Sequence, residues 1–571
     1  MSKHLIILVD DVGIEGFRSY AKPAGVQRYP YTPNWDYLES IGVRFTRAYV
    51  SPICSPTRAC LFTSRYGFRT GVGTNVFSGK PGPPAASEPW LPTALPFPSG
   101  TFGKWHLGNP SNGGPASPMK PTDTPAGVAG FDEHKGIQEN ILAGSGFSYW
   151  YYPYYVDGTL TALKGAANVF NVTSGTGIGG TATFTRSSGS WISDGYTTSS
   201  QIGAVGFGSE AQGNGNWPVS AVTALTLTVT DTDDLITTPA SGGVVVNRTP
   251  ADYNPTVIVD DALSWIASQA GDWCCVVQFT TAHKPRHAPN TAAEREVVGE
   301  EPSISGRIET AVKAITDGDT DLLDEIGFGN TTAEVTTYIA MIEAMDYEIG
   351  RLIAATNLSD TTIYAMTDNG PNEESVEAPL DPEKAKFTVY SLGTKAPLVI
   401  AGEAVPLSSN GKTCERMAHI VDLYRTITEA EGVDLGTTFP GVTFDGVDLQ
   451  PLLDDPEAVG EREFSYTEFF DPNCVGGILD GTAGTTNDPE VPLILEWDRA
   501  VRDENYTLCQ FMPNGPTGDI TYELYATKGG DTQNDNQILI DQGLSHASVQ
   551  ALTAHHIGLD RLLAELDALL P

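Results

Sequence analysis

Three apolar runs of strand length occur along the chain, and each of them ends in polar residues. The runs cover Leu5–Val9, Cys274–Phe279 and Thr361–Met366. A continuous apolar segment of this length is typical of a strand that is buried on both faces of a parallel sheet. A stretch with apolar residues at helical spacing, at about Tyr338–Ala355, precedes the third run, and the helical "VIVDDALSWI" precedes the second. The pattern therefore predicts an α/β fold.

Two further regions have different patterns. Residues 159–246 are rich in Gly, Ser and Thr, and within them "AVTALTLTVTDTDD" alternates between apolar and polar positions as a strand does. After Pro451, strand patterns near Tyr506–Phe511 and Ile520–Tyr525 are followed by an amphipathic helix, "LDRLLAELDALL". We therefore predict a discontinuous α/β domain over 1–158 and 247–450, a small β-rich insertion over 159–246 and a small α+β C-terminal subdomain over 451–571.

Composition and charge exclude some partners. Acidic residues outnumber basic ones by 71 to 33, which gives the chain a formal net charge of −38. Nucleic acids and anionic membranes both require a basic surface, so neither is an expected partner. The N-terminal apolar run, Leu5–Val9, is shorter than a signal peptide or a transmembrane helix requires. The seven scattered cysteines do not resemble a disulfide framework. Together these features predict a cytoplasmic protein, or a periplasmic one if a leader was removed.

The polar residues that follow the apolar runs are candidate ligands for a metal ion. Asp10 and Asp11 follow the first run, Asp368 and Asn369 follow the third, and "TTAHKPRHAP" follows the second. In open α/β sheets, ligands bind at the carboxyl ends of the strands. Hard oxygen donors brought to one point suit Ca²⁺ or Mg²⁺ rather than Zn²⁺. The alternative is that each pair only caps the turn or helix after its strand.

Residues 54–65, "CSPTRACLFTSR", begin with a cysteine that is followed four residues later by an arginine. The run resembles the signature of type I sulfatases of the alkaline phosphatase superfamily. In that signature a Cys or Ser, a Pro two residues on and an Arg four residues on direct conversion of the first residue to formylglycine. Other stretches are similar to the family in the same order: "TPNWDYLESIGVRF", "GKWHLG", "GFDEHKG", "YAMTDNGPN" and "KAKFTVYSLGTKAPLVIAG". The resemblance covers about residues 4–450 apart from the insertion.

The resemblance implies an alkaline-phosphatase-like mixed sheet sandwiched by helices, and a hydrolase of sulfate monoesters. It implies one divalent cation per chain, Ca²⁺ or Mg²⁺, bound by Asp10, Asp11, Asp368, Asn369 and residue 54. Cys54, once converted to formylglycine, would be a hydrated aldehyde, of which one hydroxyl attacks sulfur while deprotonation of the other releases sulfate. An unmodified, structural Cys54 is the alternative interpretation.

The expected partners follow from this chemistry. The substrate would be an aryl, alkyl or sugar sulfate, either a small molecule or a saccharide. Maturation would require a formylglycine-generating enzyme. The sequence leaves homo-oligomerisation open, and the β-rich insertion could overhang the entrance to the site.

Five basic residues complete the site that the resemblance implies. Arg58 would orient the formylglycine hydrate through its planar donor fork. Lys104 and His106 lie two residues apart, so on an extended segment they would face the same way, toward the hydrate and the sulfate oxygens. His283 or Lys386 would protonate the leaving alcohol, and the sequence does not decide between them. His106 would act as the base in the second step. Such preorganised donors stabilise the charge that builds up in the transition state.

Other residues of similar chemistry have structural interpretations. His419 matches a packing helix of the family, and Cys60 matches an ordinary helix residue. Cys274 and Cys275 lie on a core strand, with one side chain predicted to face each side of the sheet. His287 is left outside the site. Where many members of the family have Glu in "YEGG", this chain reads "YSLG", so one usual contact near the pocket is absent.

Two other functions compete with sulfate ester hydrolysis. Hydrolases of phosphomonoesters, phosphodiesters or phosphonate esters in the same superfamily can share the Cys and Arg signature. Relatives with that preference often have Asp-His at the second metal motif, so Asn369 favours sulfate. The more distant alternative is a non-catalytic, calcium-stabilised module whose insertion recognises glycans. Conversion of Cys54 would discriminate between them, because a binding module has no use for an aldehyde.

Overall fold

A ten-stranded mixed sheet forms the centre of the molecule and confirms the predicted α/β class. The three predicted apolar strands lie side by side in it, with Lys3–Val9 between Thr361–Thr367 and Trp273–Gln278, and all three run parallel. Across the sheet the strands follow the order Lys412–His419, Gly42–Tyr49, Leu398–Gly402, Thr361–Thr367, Lys3–Val9, Trp273–Gln278, Ser99–Lys104, Glu133–Ile137, Tyr152–Val156 and Thr159–Lys164.

Helices cover both faces of this sheet, because its central strands alternate between two hydrophobic cores. Ile6 belongs to one core and Ile7 to the other, and Cys274 and Cys275 divide between the cores in the same way, as predicted. The longer α-helices are Pro33–Ile41, Cys54–Thr63, Asn254–Ser268, Ala333–Ala355, Ile420–Ala430, His546–Leu552 and Leu559–Ala568. Short helical segments are Ile14–Gly16, Arg18–Ala21, Gly67–Thr70, Leu91–Ala94, Glu373–Ser375, Pro382–Lys384, Ser391–Thr394, Leu435–Thr438 and Gln450–Asp454.

The strand directions bring distant parts of the chain to one edge of the sheet. Four neighbouring strands run parallel: Thr361–Thr367, Lys3–Val9, Trp273–Gln278 and Ser99–Lys104. Gly42–Tyr49 runs in the same direction, because it is antiparallel to Leu398–Gly402, which is itself antiparallel to Thr361–Thr367. The loops that leave all five strands therefore meet at the carboxyl edge, where ligands bind in open α/β sheets.

Residues 169–247 contain a separate antiparallel sheet. Its seven strands follow the order Ser174–Gly177, Gly180–Thr185, Thr226–Asp231, Trp217–Val222, Gln201–Val205, Gly243–Asn247 and Val169–Val172. Thr159–Lys164, which the sequence analysis placed in the insertion, instead pairs with Tyr152–Val156 at the edge of the ten-stranded sheet. A two-residue turn joins these strands into a hairpin, and the hairpin belongs to that sheet because Tyr152–Val156 also pairs with Glu133–Ile137. The division into separable domains stays a prediction.

The C-terminal part forms a five-stranded antiparallel sheet, in which the strands predicted near 506 and 520 are both present. Its strands are Ser465–Asp471, Glu496–Arg502, Tyr506–Met512, Thr521–Ala526 and Ile538–Leu544. Trp497, Leu508 and Leu562 of this part share a hydrophobic core with Ile6 of the central strand. The C-terminal sheet therefore packs onto the same face of the molecule as the helix that begins at Cys54.

The structure is a computed structural model. Among the described residues, no helix is both long and apolar enough to cross a membrane. A small parallel pairing joins Ser117–Met119 to Val128–Phe131. The described residues are 2–26, 28–76, 87–108, 117–119, 128–141, 149–150, 152–164, 169–172, 174–177, 180–185, 190–192, 196, 198, 201–205, 217–231, 243–247, 253–284, 286, 333–474, 495–515, 519–526, 538–552 and 559–568.

Candidate active site

Cys54 is the first residue of the buried helix Cys54–Thr63. The side chain next to it ties this helix to the neighbouring loop: Ser55 Oγ donates to the carbonyl oxygen of His106 at 2.7 Å. The same hydroxyl accepts a hydrogen bond from the backbone N–H of Val76 at 3.0 Å. Residue 54 is therefore held at a helix N-terminus with little freedom to move.

The sulfur of Cys54 lies among charged groups of both signs. Cys54 Sγ is 3.4 Å from Asp10 Oδ1, 3.9 Å from Asp11 Oδ1 and 3.4 Å from Lys386 Nζ. Burial, together with the negative charges of Asp10 and Asp368, raises the pKa of the Cys54 thiol well above its usual value. The unmodified side chain is therefore a protonated thiol, which is a poor nucleophile.

Three carboxylates converge beside Cys54 from two strand ends. One oxygen each of Asp10, Asp11 and Asp368 lies, together with Cys54 Sγ, in a group of atoms that are all within 4.8 Å of one another. Asn369 Nδ2 donates to Asp11 Oδ1 at 2.9 Å. Asn369 Oδ1 is buried and accepts no hydrogen bond from any residue that the structure describes. The cluster therefore contains many oxygen acceptors, and one of them, Asn369 Oδ1, has no hydrogen-bond donor among the described residues.

Proton affinities within this cluster differ between carboxylates. Burial alone would raise the pKa of Asp11, but the positive charges of Lys386 and neighbouring basic groups hold it below its usual range. Burial and the charge of Asp10 raise the pKa of Asp368 to about 7. Asp11 also has a left-handed backbone, with φ of 58°, and its N–H donates to Asp368 Oδ1 at 3.1 Å.

Arg58 connects the carboxylates to the neighbouring strands. Its Nη2 donates to Asp368 Oδ2 at 2.9 Å, and its Nη1 donates to the carbonyl oxygen of Lys104 at 2.8 Å and to Gln278 Oε1 at 2.7 Å. All of Arg58 is buried. A planar guanidinium can make these bonds to three elements at once, which a lysine ammonium cannot do with the same geometry.

Lys104 and His106 both reach this region, but their backbone differs from the expectation. Lys104 is the last residue of its strand, and its Nζ donates to Asp10 Oδ2 at 2.6 Å. His106 has a left-handed backbone, with φ of 56°, so the prediction of an extended segment was wrong. Burial and the positive charges of Lys104 and Arg58 lower the pKa of His106 well below its usual value, which keeps the imidazole neutral.

His283 and Lys386 approach Asp11 from two different loops. Lys386 Nζ donates to Asp11 Oδ1, and His283 Nε2 is 3.8 Å from Asp11 Oδ2. His283 Nδ1 lies 2.6 Å from the carbonyl oxygen of Lys284, and because a carbonyl only accepts, this contact assigns the proton to Nδ1. Burial chiefly lowers the pKa of His283 to about 3. Both residues therefore reach Asp11. A neutral His283 carries its proton on Nδ1, so His283 would have to bind a second proton before it could donate one from Nε2. The choice between the two residues as proton donor stays open.

A close backbone approach places Lys386. A Cβ on Gly370 would lie 1.8 Å from the carbonyl oxygen of Leu392, and Gly370 N–H donates to the carbonyl oxygen of Gly393 at 2.9 Å. Only glycine fits this contact. This contact holds the loop after Asn369 against the "YSLG" segment. Lys386 lies between these two segments in the sequence.

Several polar residues at the cluster were missed by sequence reasoning. Gln278 bonds Arg58, and Asn372 Nδ2 donates to Asp11 Oδ2 at 2.5 Å. Tyr338 donates from its hydroxyl, which is 2.5 Å from Glu15 Oε1 and 3.2 Å from the carbonyl oxygen of Asp11. A Gln inside an otherwise apolar strand was a visible signal in "CCVVQF". Nothing in the sequence pattern pointed to Tyr338.

The residues given structural interpretations lie away from this cluster. His419 is the N-cap of helix Ile420–Ala430, where its Nδ1 accepts from the N–H of Val421 at 3.3 Å. Cys60 is a buried residue in the middle of the helix that begins at Cys54. His287 lies outside the described residues.

Comparison with known proteins identifies the family. The sequence model of the family described as Sulfatase matches residues 3–433. The chain belongs to the sulfatase family. It is similar to arylsulfatase A of Bos taurus, with 38% identity over 110 residues that make up 18% of this chain and 20% of that protein. It is also similar to steryl-sulfatase of Mus musculus, with 24% identity over 496 residues, or 81% of this chain and 66% of that protein.

The fold is shared with solved structures whose sequences differ widely from this one. One of them is the phosphonate monoester hydrolase of Agrobacterium radiobacter, with a TM-score of 0.53 and 18% sequence identity over 100% of this chain and 96% of that chain. An identity this low supports the common fold alone. The predicted alkaline-phosphatase-like architecture is therefore confirmed, and the choice between sulfate and phosphonate esters has to come from the site.

Proposed function

We propose that this member of the sulfatase family hydrolyses sulfate monoesters, with formylglycine formed from Cys54 as the nucleophile. The observation that carries the proposal is the position of Cys54. Its sulfur is at a helix N-terminus, 3.4 Å from both Asp10 Oδ1 and Lys386 Nζ. A nucleophile at this point lies close both to a cation that can stabilise an anion and to carboxylates that can hold a metal ion.

The donor set fits one hard divalent cation, Ca²⁺ or Mg²⁺. Asp10, Asp11 and Asp368 bring three carboxylates into contact, and like charges at this separation repel one another unless a cation lies between them. Asn369 Oδ1 is the buried acceptor that no described residue satisfies. An ion bound by these four residues and residue 54 would supply a positive charge that polarises the nucleophile and the sulfate oxygens.

The residues around this position have distinct tasks. Formylglycine supplies a hydrated aldehyde, of which one hydroxyl attacks sulfur and the other, on losing its proton, expels sulfate. Arg58 and Lys104 hold Asp368 and Asp10 in place. His106 accepts the proton of the second hydroxyl as general base, and His283 or Lys386 donates a proton to the leaving alcohol. Arg58, Lys104 and Lys386 together offset the charge of the sulfate group.

The test of the nucleophile is a mass measurement paired with two variants. Active protein, co-expressed with a formylglycine-generating enzyme, should carry an aldehyde at residue 54 in the tryptic peptide Ala48–Arg58. Cys54→Ala should lose all turnover. Cys60→Ala is the matched control, since Cys60 is a buried cysteine of the same helix, and it should retain activity. A free thiol in fully active protein would overturn the proposal.

Chelation tests the metal. Exhaustive removal of divalent cations should abolish turnover and lower the thermal unfolding midpoint, because a bound ion stabilises the native state by mass action. Re-addition of Ca²⁺ or Mg²⁺ separately should restore both properties and identify the ion. Unchanged activity after chelation would count against the site.

The second candidate function is hydrolysis of phosphate or phosphonate esters, because the phosphonate monoester hydrolase of Agrobacterium radiobacter shares the fold. A sulfate monoester carries one negative charge, whereas a phosphate monoester carries close to two at neutral pH. Asn369, in place of a fourth carboxylate, would leave a bound metal ion more electrophilic, so that a single ion would suffice. We expect kcat/KM for 4-nitrophenyl sulfate to exceed that for 4-nitrophenyl phosphate by at least ~100-fold, roughly 2.7 kcal/mol. Equal or reversed efficiencies would favour the phosphoesterase.

The glycan-binding alternative predicts no turnover of any ester. A non-catalytic module would bind glycans without turnover and would not need an aldehyde at residue 54. A cytoplasmic location and maturation by a formylglycine-generating enzyme remain part of the proposal. A screen of aryl, alkyl and sugar sulfates on converted protein would test the substrate class.

A further inference from the structure

Phe387 is an exposed aromatic residue next to a buried basic one. Lys386 is buried against Asp11 and Cys54, whereas Phe387 is 51% exposed. Lys386 Nζ lies 5.5 Å from the centroid of the Phe387 ring. Lys386 Nζ is also 3.4 Å from Cys54 Sγ. The sum of these two distances is therefore an upper limit for the distance between the ring centroid and the sulfur.

The backbone of Phe387 is fixed to the loop that leads to the nucleophile. Its N–H donates to the carbonyl oxygen of Pro52 at 2.9 Å, two residues before Cys54. The preceding N–H, that of Lys386, donates to the carbonyl oxygen of Pro371 at 3.0 Å, two residues after Asn369. The position of the ring is thus set by the same two loops that hold the reacting groups.

The conformation of Phe387 is unfavourable for its residue type. Its φ is 75°, in the left-handed region that glycine adopts readily and a bulky side chain adopts at a cost. Residues held in such a conformation cluster at functional sites, where surrounding bonds maintain them. Burial in the core does not explain a phenyl ring here, because half of the residue is exposed to solvent.

Exposed side-chain surface occurs next to the buried cluster at His283 and at Phe387. Asp10, Cys54 and Asp368 have no exposed surface. His283 has a side chain that is 16% exposed, and Lys284 and Glu374 beyond it form an exposed ion pair. Among the described residues, His283 lies beside Asp11 and Phe387 lies beside Lys386, so both partly exposed side chains adjoin the buried cluster.

We propose that Phe387 binds the leaving group of the substrate, by stacking on the flat, apolar face of a ring that carries the sulfate ester. This rests on the proposed function, because it requires the ester to react at residue 54. An aromatic ring and the apolar face of a pyranose both present such a surface. The contact is the same in ground state and transition state, so it contributes to binding and not to the chemical step.

The experiment compares Phe387→Ala with wild type, both converted to the formylglycine form, on three sulfate esters. The esters are 4-nitrophenyl sulfate, a hexose 6-sulfate and a short linear alkyl sulfate. We expect KM to rise roughly tenfold for ring-bearing esters, with kcat within twofold and little change for the alkyl ester. Phe387→Trp should retain the wild-type KM. Which of the two ring esters is affected more strongly identifies an aromatic or a sugar leaving group.

Two further variants separate stacking from folding. Phe387→Gly removes the ring and relieves the left-handed backbone, so its unfolding midpoint should equal or exceed that of wild type while KM still rises. Tyr37→Ala is the matched control, because Tyr37 is an aromatic residue that is 45% exposed on a different element, helix Pro33–Ile41. It should leave all kinetic constants unchanged.

The outcomes that overturn the proposal are distinct from failure of the proposed function. A fall in kcat for all three esters would mean that the ring only positions Lys386, and an unchanged KM for ring esters would exclude stacking. If wild type hydrolyses phenyl phosphonate esters and no sulfate ester, the proposed function fails. The same Phe387→Ala comparison on those phosphonate esters then still tests the stacking contact.

Discussion

Two regions of this molecule bury charge, and they neutralise it differently. In the active-site cluster, defined by Asp10, Asp11, Arg58, Lys104, Asp368 and Lys386, charged groups meet charged groups from distant segments. In the C-terminal network, defined by Tyr466, Glu468, Arg499, Arg502 and Gln510, buried charges meet mainly neutral dipoles. Glu468 accepts from Phe68 N–H, Tyr466 hydroxyl and Trp497 Nε1, at 2.7, 2.9 and 3.0 Å.

The difference shows which buried charges indicate chemistry. Arg499 donates from Nε to Gln510 Oε1 at 2.9 Å, on the neighbouring strand, and such contacts stabilise a sheet without requiring a ligand. The active-site cluster gathers three carboxylates and leaves Asn369 Oδ1 unsatisfied by any described residue. Repulsion between like charges and an unpaired acceptor are both relieved by a cation. Burial of charge alone is therefore not the sign of a site.

The largest effect is expected for Asp368→Ala in the active-site cluster. The variant removes a carboxylate from the metal set and leaves Arg58 without its 2.9 Å partner. We expect kcat/KM to fall by at least ~1000-fold, about 4 kcal/mol of transition-state stabilisation. Added Ca²⁺ should raise the thermal midpoint of wild type but not that of the variant. Retention of activity would remove the distinction between the two regions.

Arg58→Lys tests whether geometry matters beyond charge. Lysine keeps the positive charge but loses the planar fork that reaches Asp368, Gln278 and the Lys104 carbonyl oxygen. We expect kcat/KM to fall by about 100-fold. Arg499→Lys in the C-terminal network is the control, and it should lower stability while activity per folded molecule stays near wild type. Equal losses of activity in both variants would contradict this division.

Glu468→Gln tests the C-terminal network through the pH dependence of stability. Burial chiefly raises the pKa of Glu468 from 4.5 to about 7 in the folded protein. The folded state therefore binds the proton more tightly, so this contribution to stability is complete below about pH 4.5 and is lost as pH rises through about 7. In wild type the loss is about 3 kcal/mol.

Chemical denaturation of both proteins at several pH values measures this effect. The difference in unfolding free energy between wild type and Glu468→Gln should shrink or reverse as pH rises from 4.5 to 8. At each pH, turnover per folded molecule of the variant should stay within about twofold of wild type. Parallel stability curves would show that Glu468 is not the group that titrates.

The smallest effect is expected for Tyr338→Phe, at the border of the active-site cluster. The variant removes a hydroxyl that lies 2.5 Å from Glu15 Oε1 and 3.2 Å from the carbonyl oxygen of Asp11. Loss of one hydrogen bond next to a metal ligand should weaken metal binding roughly fivefold. At saturating metal, kcat should stay near wild type. Titration calorimetry of metal binding checks the first expectation. An unchanged affinity would show that the Tyr338 hydroxyl has only a structural role.

The sequence by itself determined the elements and most of the cluster's membership. Apolar runs of strand length predicted Lys3–Val9, Trp273–Gln278 and Thr361–Thr367 to within one or two residues, because burial on both faces requires continuous apolar residues. The Cys and Arg spacing of "CSPTR" pointed to the family. Local pattern also separated Cys274 from Cys275, since successive side chains in a strand face opposite sides.

Only the tertiary structure decided which side chains meet. The contacts of Lys386 with Asp11 and Cys54 depend on strand order and on a loop held by Gly370. The same holds for Asn369 Oδ1, which has no hydrogen-bond donor among the described residues. The left-handed backbone of His106 and the exposed ring of Phe387 also follow from neighbouring loops. The periodicity of apolar residues indicates which side chains are buried, because burial depends on the face of the helix or strand on which a residue lies. Contacts between residues hundreds of positions apart depend on how the elements are arranged, and no local pattern carries that arrangement.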